Sequence, residues 1–281
     1  MTRVFVTGAE GQLGRALSII LGDHEVIAPK RADLDVTKRD SVLAAITDSQ
    51  PDVIIHGGAW TDVDGCERDP DRAFATNALG TRYVAEAADR VDAHICYVST
   101  DFVFDGTETT PYNEWHPTNP ISTYGHSKLA GEQALPTSAT IVRTSWLTGA
   151  DGRGGFVRAI LAMALRDESA IHVVTDQRGS PTAAGDLALA IRSLIAHRAH
   201  GCFHVTNQGD ASRFELARAI VGWAGKDPSI VQPVATADLD PAPLAVRPAY
   251  SVLDNSALRL GGFELLPHWQ KSFELLVATL M

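Results

Sequence analysis

Short runs of consecutive apolar residues alternate along this chain with longer segments in which apolar residues recur every three or four positions. Such runs are typical of strands buried in a parallel sheet, and the longer segments are typical of helices packed on its faces. The pattern therefore predicts an α/β fold. The predicted strands are Arg3–Thr7, His24–Ala28, Asp52–His56, His94–Ser99, Thr140–Arg143, Ile171–Val174 and Cys202–Val205. The predicted helices are Gln12–Leu21, Phe74–Ala88, one near Tyr124, Phe156–Leu165, Ala184–His197, Arg213–Ala224 and Trp269–Thr279.

The alternation of strand and helix is regular in the first half of the chain and irregular in the second. We therefore predict a doubly wound parallel sheet over residues 1–145 and a smaller, irregular part over residues 146–281 that mainly binds substrate. The helix at 184–197 is expected to pack back on the sheet. The proline-rich segment 238–248 is expected to form a loop over a site.

A glycine motif follows the first predicted strand. Gly8, Gly11 and Gly14 form Gly-x-x-Gly-x-x-Gly between that strand and the first helix. Glycines there allow a tight turn and let backbone N–H groups approach a pyrophosphate, whose charge the helix N-terminus favours. The motif predicts a Rossmann-type dinucleotide site. A plain strand-to-helix turn is the alternative.

The end of the second predicted strand indicates which dinucleotide binds. An acidic residue commonly lies there to bind the ribose 2′-hydroxyl of NAD, but this chain has Lys30 and Arg31. A guanidinium makes forked contacts to phosphate, so we expect NADPH with Arg31 on its 2′-phosphate and NADH as the alternative cofactor. Two solvated surface cations are the competing interpretation. Asp35 and Val36 are expected to border the adenine.

The third strand ends in small residues that would let a cofactor lie against the backbone at Gly58, Ala59 and Trp60. Acidic residues beyond them, such as Asp64, are expected to be solvated or capping charges. Asn77 is expected to tie neighbouring loops together, with cofactor contact as the alternative.

Candidate catalytic groups come from the fourth strand and the helix after it. Thr100 leaves that strand, and Tyr124 and Lys128 are four residues apart on one helix face. A phenol has a pKa of about 10, which a nearby ammonium lowers, so we expect Lys128 to tune Tyr124 for proton transfer. An exposed helical pair is the alternative, but the order of the motifs favours catalysis at a carbonyl.

Composition excludes several other classes of function. The formal net charge is −10, which disfavours binding to nucleic acid or to anionic membranes, so local cations or backbone N–H groups must hold an anionic ligand. Three widely spaced cysteines show no metal-binding pattern and indicate a reducing compartment. No long uncharged apolar run or leader pattern occurs. These features predict a cytoplasmic protein without a metal site.

Seven segments in order resemble the extended short-chain dehydrogenase/reductases and, more narrowly, the family of dTDP-4-dehydrorhamnose reductases. They are residues 8–14, 59–64, 99–106, 124–132, 143–146, 177–182 and 247–248, so the resemblance covers nearly the whole chain. It implies that NAD(P)H reduces the C4 ketone of dTDP-4-dehydro-β-L-rhamnose, the last step of dTDP-L-rhamnose biosynthesis, while Tyr124 protonates the oxygen.

The resemblance also implies site residues. The catalytic set is Thr100, Tyr124 and Lys128. With the residues derived above, the cofactor set is Gly8, Glu10, Gly11, Gln12, Leu13, Arg31, Asp35, Val36, Gly58, Ala59, Trp60, Tyr124 and Lys128. The substrate set is Thr100, Asp101, Val103, Phe104, Trp146, Pro181, Thr182 and Arg247, with Arg247 as the cation for the diphosphate.

One departure from the family concerns assembly. Some members carry a glutamate two residues after the third glycine and form a Mg²⁺-linked dimer, whereas this chain has Ala16. We therefore predict a monomer or weak dimer without Mg²⁺. The alternatives for function are a reductase of another dTDP-4-keto-deoxysugar and a non-catalytic, NADP-binding regulatory subunit on the same fold. A dehydratase or epimerase is disfavoured because Phe102 follows Asp101 where an Asp-Glu pair is usual.

Overall fold

The structure, a computed structural model, describes residues 1–150, 155–166 and 168–281. Its strands are β1 Arg3–Thr7, β2 Glu25–Ile27, β3 Val53–His56, β4 His94–Thr100, β5 Thr140–Thr144, β6 Leu147–Thr148, β7 Ile171–Val174, β8 Arg178–Gly179, β9 Thr182–Ala183, β10 Gly201–His204, β11 Ala211–Ser212 and β12 Val231–Val234. Its helices are α1 Gln12–Ile20, α2 Arg39–Ser49, α3 Val63–Arg68, α4 Pro70–Phe74, α5 Gly80–Arg90, α6 Thr123–Gln133, α7 Phe156–Leu165, α8 Ala184–Ala196, α9 Arg213–Trp223, α10 Ser256–Leu260 and α11 Trp269–Leu280.

Six of these strands form one sheet in the order β10–β5–β4–β3–β1–β2, and every pair is parallel. The chain runs from β1 outward to β2 and then crosses to β3 on the other side of β1. This reversal creates a crevice at the carboxyl ends of β1 and β3, where such sheets bind ligands. The predicted doubly wound, Rossmann-type sheet is confirmed.

Both faces of the sheet are covered because successive strand side chains point to opposite sides. Val4 and Val6 pack in a cluster with α1 and α8, whereas Phe5, between them, packs in a second cluster with α2 and α5. Ile54 and Ile55 on β3 divide between the two clusters in the same way. The continuous apolar runs in the sequence therefore reflect burial on both sides.

The second half of the chain contributes to both parts of the molecule. Helix α8 packs against α1, and β10 pairs with β5 at the edge of the main sheet. Helices α7, α9 and α11 surround a separate core with β7 that includes Ile160, Ile220 and Phe273. The division at residues 145 and 146 stays a prediction, since α8 and β10 lie after it in sequence and within the sheet layers in space.

Two local features of the fold differ from what the sequence predicts. Helix α2 is not predicted from the sequence, because its apolar face consists of only Val42, Leu43 and Ile46 between polar residues. The helix predicted at 74–88 is three pieces, α4, a π-helical segment at Ala75–Leu79 and α5. No helix in the described part of the chain combines the length and apolar character needed to cross a bilayer.

A buried ion pair joins α6 to the sheet below the crevice. Glu132 accepts from Arg143 Nε at 2.9 Å and from Nη2 at 2.7 Å, and Ser99 Oγ donates to the same carboxylate at 2.5 Å. The Glu132 and Arg143 side chains are only 6% and 8% exposed, so neither charge could be solvated if its partner were lost.

Glu132→Ala is therefore expected to lower the free energy of unfolding by about 3–5 kcal/mol, because it leaves the Arg143 guanidinium buried and unpaired. Urea unfolding measures this change. Glu86→Ala is the matched control, since Glu86 pairs with Arg39 and Arg90 at the surface and its loss should cost about 1 kcal/mol or less. Equal losses in the two variants would contradict the structural role given to Glu132.

Candidate active site

One continuous cavity of about 1280 Å³ opens along the crevice. It runs from the glycine turn after β1, past the ends of β3, β4 and β5, to residues of the C-terminal part such as Arg213, Arg247 and Ser251. A pocket for one small ligand commonly measures about 300–1,000 Å³, so this cavity has room for a dinucleotide and a second molecule.

The glycine turn fits a dinucleotide. Gly8 has a φ of 72°, and a Cβ placed there would lie 2.7 Å from the carbonyl oxygen of Gly57. No larger residue is accommodated without movement of the backbone, so the turn brings bare main chain to the cavity wall. The first turn of α1 follows directly, and its N–H groups suit a pyrophosphate.

All thirteen residues predicted to bind cofactor lie on the wall of the cavity. Gln12 and Glu10 also contact neighbouring segments: Gln12 Oε1 accepts from Gly149 N at 2.6 Å, and Glu10 Oε2 accepts from the backbone N–H of Arg31 at 3.1 Å. The Arg31 side chain is exposed at the cavity edge. The placement agrees with the predicted cofactor roles, which stay predictions.

Asn77 ties neighbouring segments together. Its Oδ1 accepts from Trp60 N at 2.8 Å, and its Nδ2 donates to Trp60 O at 3.1 Å and to Ser127 Oγ at 2.9 Å. The π-helical segment places this fully buried side chain between the loop after β3 and helix α6. The structural interpretation of Asn77 is confirmed, and the contacts hold Trp60 at the cavity wall.

The three predicted catalytic side chains meet in the cavity. Thr100 ends β4, and α6 presents Tyr124 and Lys128 from one face; all three residues are at most 8% exposed. Lys128 Nζ donates to the carbonyl oxygen of Val98 at 2.8 Å and lies 4.1 Å from the centre of the Tyr97 ring. The carbonyl and the ring face both stabilise the ammonium.

Burial controls the proton affinities of this set. It lowers the pKa of Lys128 to about 7, with nearby Glu132 opposing the shift. It raises the pKa of Tyr124 well above its ordinary value, and a hydrogen bond with Thr100 offsets only part of this. The pKa of Tyr124 therefore rises in this structure, because desolvation of the phenolate outweighs the hydrogen bond with Thr100; the expected lowering of that pKa by Lys128 stays a prediction. A phenol that stays protonated at neutral pH is suited to donate a proton.

Asp101 is fully enclosed beside Thr100. Its Oδ2 accepts from Ser251 Oγ at 2.6 Å and from Ser145 Oγ at 2.9 Å, and its Oδ1 accepts from Thr100 Oγ1 at 3.2 Å. Burial raises the pKa of Asp101, and the three hydroxyl donors oppose that shift. The cluster joins β4, β5 and a segment 150 residues away, so it anchors the C-terminal part at the catalytic groups.

Trp146 also lies on the cavity wall and has a strained backbone conformation. Its φ of 47° is unusual for a bulky residue, which is commonly a feature of functional sites. Its indole is packed against the backbone of Gly179 on one side, and the guanidinium of Arg213 lies 3.6 Å from the ring centre. The ring is therefore held in one orientation at the cavity wall.

Four residues predicted to bind substrate are not on the cavity wall. Val103 and Phe104 are fully buried and pack with Tyr112, whose ring stacks on Phe104 at 4.3 Å. Pro181 and Thr182 are buried, and Thr182 pairs with Leu147 of strand β6. Contact of these four residues with substrate stays a prediction.

Arg247 is at the wall but is engaged with Asp64. Its Nη1 lies 2.9 Å from Oδ1 and its Nη2 lies 2.8 Å from Oδ2, and the backbone N–H of Ala245 donates to Oδ1 at 2.8 Å. The guanidinium lowers the pKa of Asp64 to about 2. The interpretation of Asp64 as a solvated or capping charge is therefore wrong, since it fastens the segment 238–248 beside the cavity.

Sequence reasoning assigns no role to several further wall residues, among them Ser145, Gln177, Arg213 and Ser251. Ser145 follows the end of a strand, and Gln177 begins the segment 177–182 that resembles the family, so their positions in the sequence could have identified them. Arg213 and Ser251 carry no local signal, because only the packing of the C-terminal part brings them to the crevice. Among the described residues, no group of three His, Cys, Asp or Glu side chains is placed to hold a metal ion; the metal-free site stays a prediction.

A Rossmann-type sheet with a dinucleotide turn and a Thr, Tyr and Lys set in one cavity defines an NAD(P)-dependent oxidoreductase of the short-chain dehydrogenase/reductase class. The family described as RmlD substrate binding domain matches residues 1–281. The chain belongs to this family.

Named relatives agree with this assignment. The chain is 41% identical over 279 residues to a dTDP-4-dehydrorhamnose reductase of Streptomyces griseus, covering 95% of this chain and 90% of that protein. It is 40% identical over 273 residues to a dTDP-4-keto-6-deoxy-D-glucose reductase of Streptomyces niveus, covering 95% and 93%. It superposes on the dTDP-4-dehydrorhamnose reductase of Bacillus anthracis in complex with NADP with a TM-score of 0.93, at 38% identity and 99% coverage of both chains.

Lys128→Met should change how stability depends on pH. Between about pH 7.5 and 9.5 the unfolded wild-type chain binds a proton at Lys128 that the folded chain has lost, so wild-type stability rises with pH relative to the variant. The expected difference in slope is at most about 1.4 kcal/mol per pH unit, and it vanishes below about pH 6, where Lys128 is protonated in both states.

Denaturant unfolding at several pH values measures this slope. Lys271→Met, which removes an exposed lysine from α11, is the matched control and should keep the wild-type slope. Parallel stability curves for the wild type and Lys128→Met would show that the buried ammonium keeps an ordinary pKa.

Proposed function

We propose that this chain is an NAD(P)H-dependent nucleotide-sugar 4-ketoreductase that converts dTDP-4-dehydro-β-L-rhamnose to dTDP-L-rhamnose, the last step of dTDP-rhamnose biosynthesis. The observation that carries the proposal is the convergence of buried Thr100, Tyr124 and Lys128 on the cavity that also contains the Gly8 turn. A regulatory subunit without catalysis would not need a buried phenol beside a buried ammonium.

NADPH supplies the hydride when it is bound. The Gly8 turn and the first turn of α1 would hold its pyrophosphate, and Arg31 would contact the 2′-phosphate at the cavity edge. Lys128, whose Nζ faces the end of β4, would donate a hydrogen bond to the nicotinamide ribose. Gly58, Ala59 and Trp60 would let the cofactor lie against the backbone beyond β3.

The chain's own residues carry the proton chemistry. Thr100 would orient the ketone oxygen, and Tyr124, protonated at neutral pH, donates its proton as negative charge develops on that oxygen. Lys128, with a pKa of about 7, is suited to return a proton to the phenolate. Asp101 and Trp146, both on the cavity wall, would contact the hexose.

A second candidate substrate is another dTDP-4-keto-6-deoxysugar. The relative from Streptomyces niveus, named for dTDP-4-keto-6-deoxy-D-glucose, is as similar as the one named for the rhamnose precursor, 40% against 41%. The same catalytic set would serve both substrates, so the part of the cavity wall that includes Trp146 would decide which sugar is bound.

The test is NADPH oxidation with each enzymatically generated keto-sugar, followed by NMR identification of the product. Fast turnover to dTDP-L-rhamnose supports the first substrate. Turnover with dTDP-4-keto-6-deoxy-D-glucose alone would assign the second. NADPH binding without oxidation of either substrate would contradict the proposed reaction.

Tyr124→Phe is expected to lower kcat by about 10²–10⁴-fold, because the variant keeps the ring but has no proton to donate. The ring still packs edge-on against Phe102, so the dissociation constant for NADPH should stay near the wild-type value. Single-turnover kinetics and a binding titration measure the two quantities. Full turnover by the variant would exclude Tyr124 as the proton donor.

Arg31→Ala is expected to weaken NADPH by about tenfold or more and NADH much less, because only NADPH carries the 2′-phosphate that the guanidinium would bind. Dissociation constants for both cofactors provide the measurement. Arg15→Ala is the matched control, since Arg15 also lines the cavity but donates to the backbone oxygen of Glu10. Equal weakening of NADPH and NADH by Arg31→Ala would remove this role.

We further propose that the protein works in the cytoplasm as a monomer or weak dimer, with the nucleotide sugar as its partner and without nucleic acid or membrane. The support is its net charge of −10 and three free cysteines, Cys66, Cys96 and Cys202, which suit a reducing compartment.

A further inference from the structure

The proposed substrate carries a diphosphate, and this acidic protein must bind it with local cations. On the part of the cavity wall formed by the C-terminal residues, two guanidinium groups are available, Arg213 and Arg247. They differ in what they already contact. That difference separates a structural arginine from one that is free to bind an anion.

Both terminal nitrogens of Arg247 already donate hydrogen bonds within the protein. Both terminal nitrogens contact the Asp64 carboxylate, at 2.9 and 2.8 Å, and Nη1 also donates to the carbonyl oxygen of Ala245 at 2.7 Å. The carboxylate cancels the charge of the guanidinium. A diphosphate at this position would therefore meet a neutral ion pair and would have to compete with Asp64.

Arg213 has no such partner. Among the residues that the structure describes, its side chain makes no hydrogen bond and no ion pair, although the residue is half-buried at the N-terminus of α9. Burial lowers the pKa of Arg213 to about 10, which leaves the group charged at neutral pH. A buried guanidinium without a counterion is costly, and an anion in the cavity would remove that cost.

The setting of Arg213 at the cavity wall leaves its donors without a hydrogen-bond partner among the described residues. The guanidinium lies 3.6 Å from the ring centre of Trp146 and 5.0 Å from that of Phe156, so the aromatic rings hold its position without using its N–H groups. Asp101, the acid whose charge acts on Arg213, already accepts from three hydroxyl groups. Five N–H donors in a planar fork remain for a ligand.

We propose that Arg213, rather than Arg247, binds the diphosphate of the nucleotide-sugar substrate. The assignment rests on the proposed function and names a contact within it. Arg213 would hold the diphosphate, and its stack on the Trp146 ring would keep that ring in place beside the hexose. One side chain would then link recognition of the phosphates to the position of the hexose. Arg247 would instead hold the 238–248 segment through Asp64.

The test compares Arg213→Gln and Arg247→Gln by the ratio of the dissociation constants for thymidine and dTDP, measured by calorimetry on the NADP⁺-loaded protein. This ratio isolates the contribution of the two phosphates. Arg213→Gln is expected to lower it by about 10–100-fold, and Arg213→Lys by less, because lysine keeps the charge but not the fork. Arg247→Gln should weaken both ligands by a similar factor and leave the ratio unchanged.

The outcomes separate the two proposals. An unchanged ratio in Arg213→Gln, or a larger fall in Arg247→Gln, would overturn the assignment of Arg213 while leaving the reductase intact. An unchanged ratio in which Arg213→Gln weakens thymidine and dTDP by the same factor would show that the residue acts only through Trp146. If the wild-type protein binds NADP⁺ but not dTDP, the nucleotide-sugar function itself fails, and the Arg213 assignment fails with it.

Discussion

The active site depends on the burial of one ammonium group, that of Lys128, between helix α6 and the central sheet. Its Nζ reaches the Val98 carbonyl only because α6 lies very close to β4: a Cβ on Gly131 would be 2.4 Å from Tyr97 Oη and 2.5 Å from Asn77 O. The same close packing buries Tyr124, so desolvation, rather than the distance between the two groups, dominates both proton affinities. The result is a protonated phenol beside an amine near neutrality, which is what ketone reduction requires of its proton donor.

A second constraint is the distribution of charge in an acidic protein. Some charged groups are paired in the interior, as in Glu132 with Arg143, and others lie on the cavity wall, where a ligand can reach them, as with Lys128 and Arg213. The paired group fastens α6 to β4 and β5, and the Asp64–Arg247 pair fastens the C-terminal segment to α3. The pairs therefore set the geometry, while the unpaired cations remain available for chemistry and binding.

The predicted sheet agrees with the structure because its strands are buried on both faces and follow from short-range periodicity. Where a helix has a weak apolar face, as in α2, or includes a π-helical segment, as at Ala75–Leu79, that periodicity is insufficient. The site shows the same division. The glycine turn and the Thr100, Tyr124 and Lys128 set belong to strand ends and one helix face, so local sequence predicts their meeting. Val103 and Phe104 lie in the same motif as Thr100, yet the turn that follows directs them into a core.

The sequence by itself determined the α/β class and predicted the dinucleotide turn and the Thr100, Tyr124 and Lys128 set, because each follows from residues that are neighbours along a strand or a helix. Only the tertiary structure decided that the chain after residue 145 returns to the sheet through α8 and β10. It also decided that Ser251 closes the Asp101 cluster and that Asp64 occupies Arg247 while Arg213 stays unpaired among the described residues. The physical reason is that charge pairing and desolvation depend on which side chains are brought together across long sequence separations, and no local pattern records them.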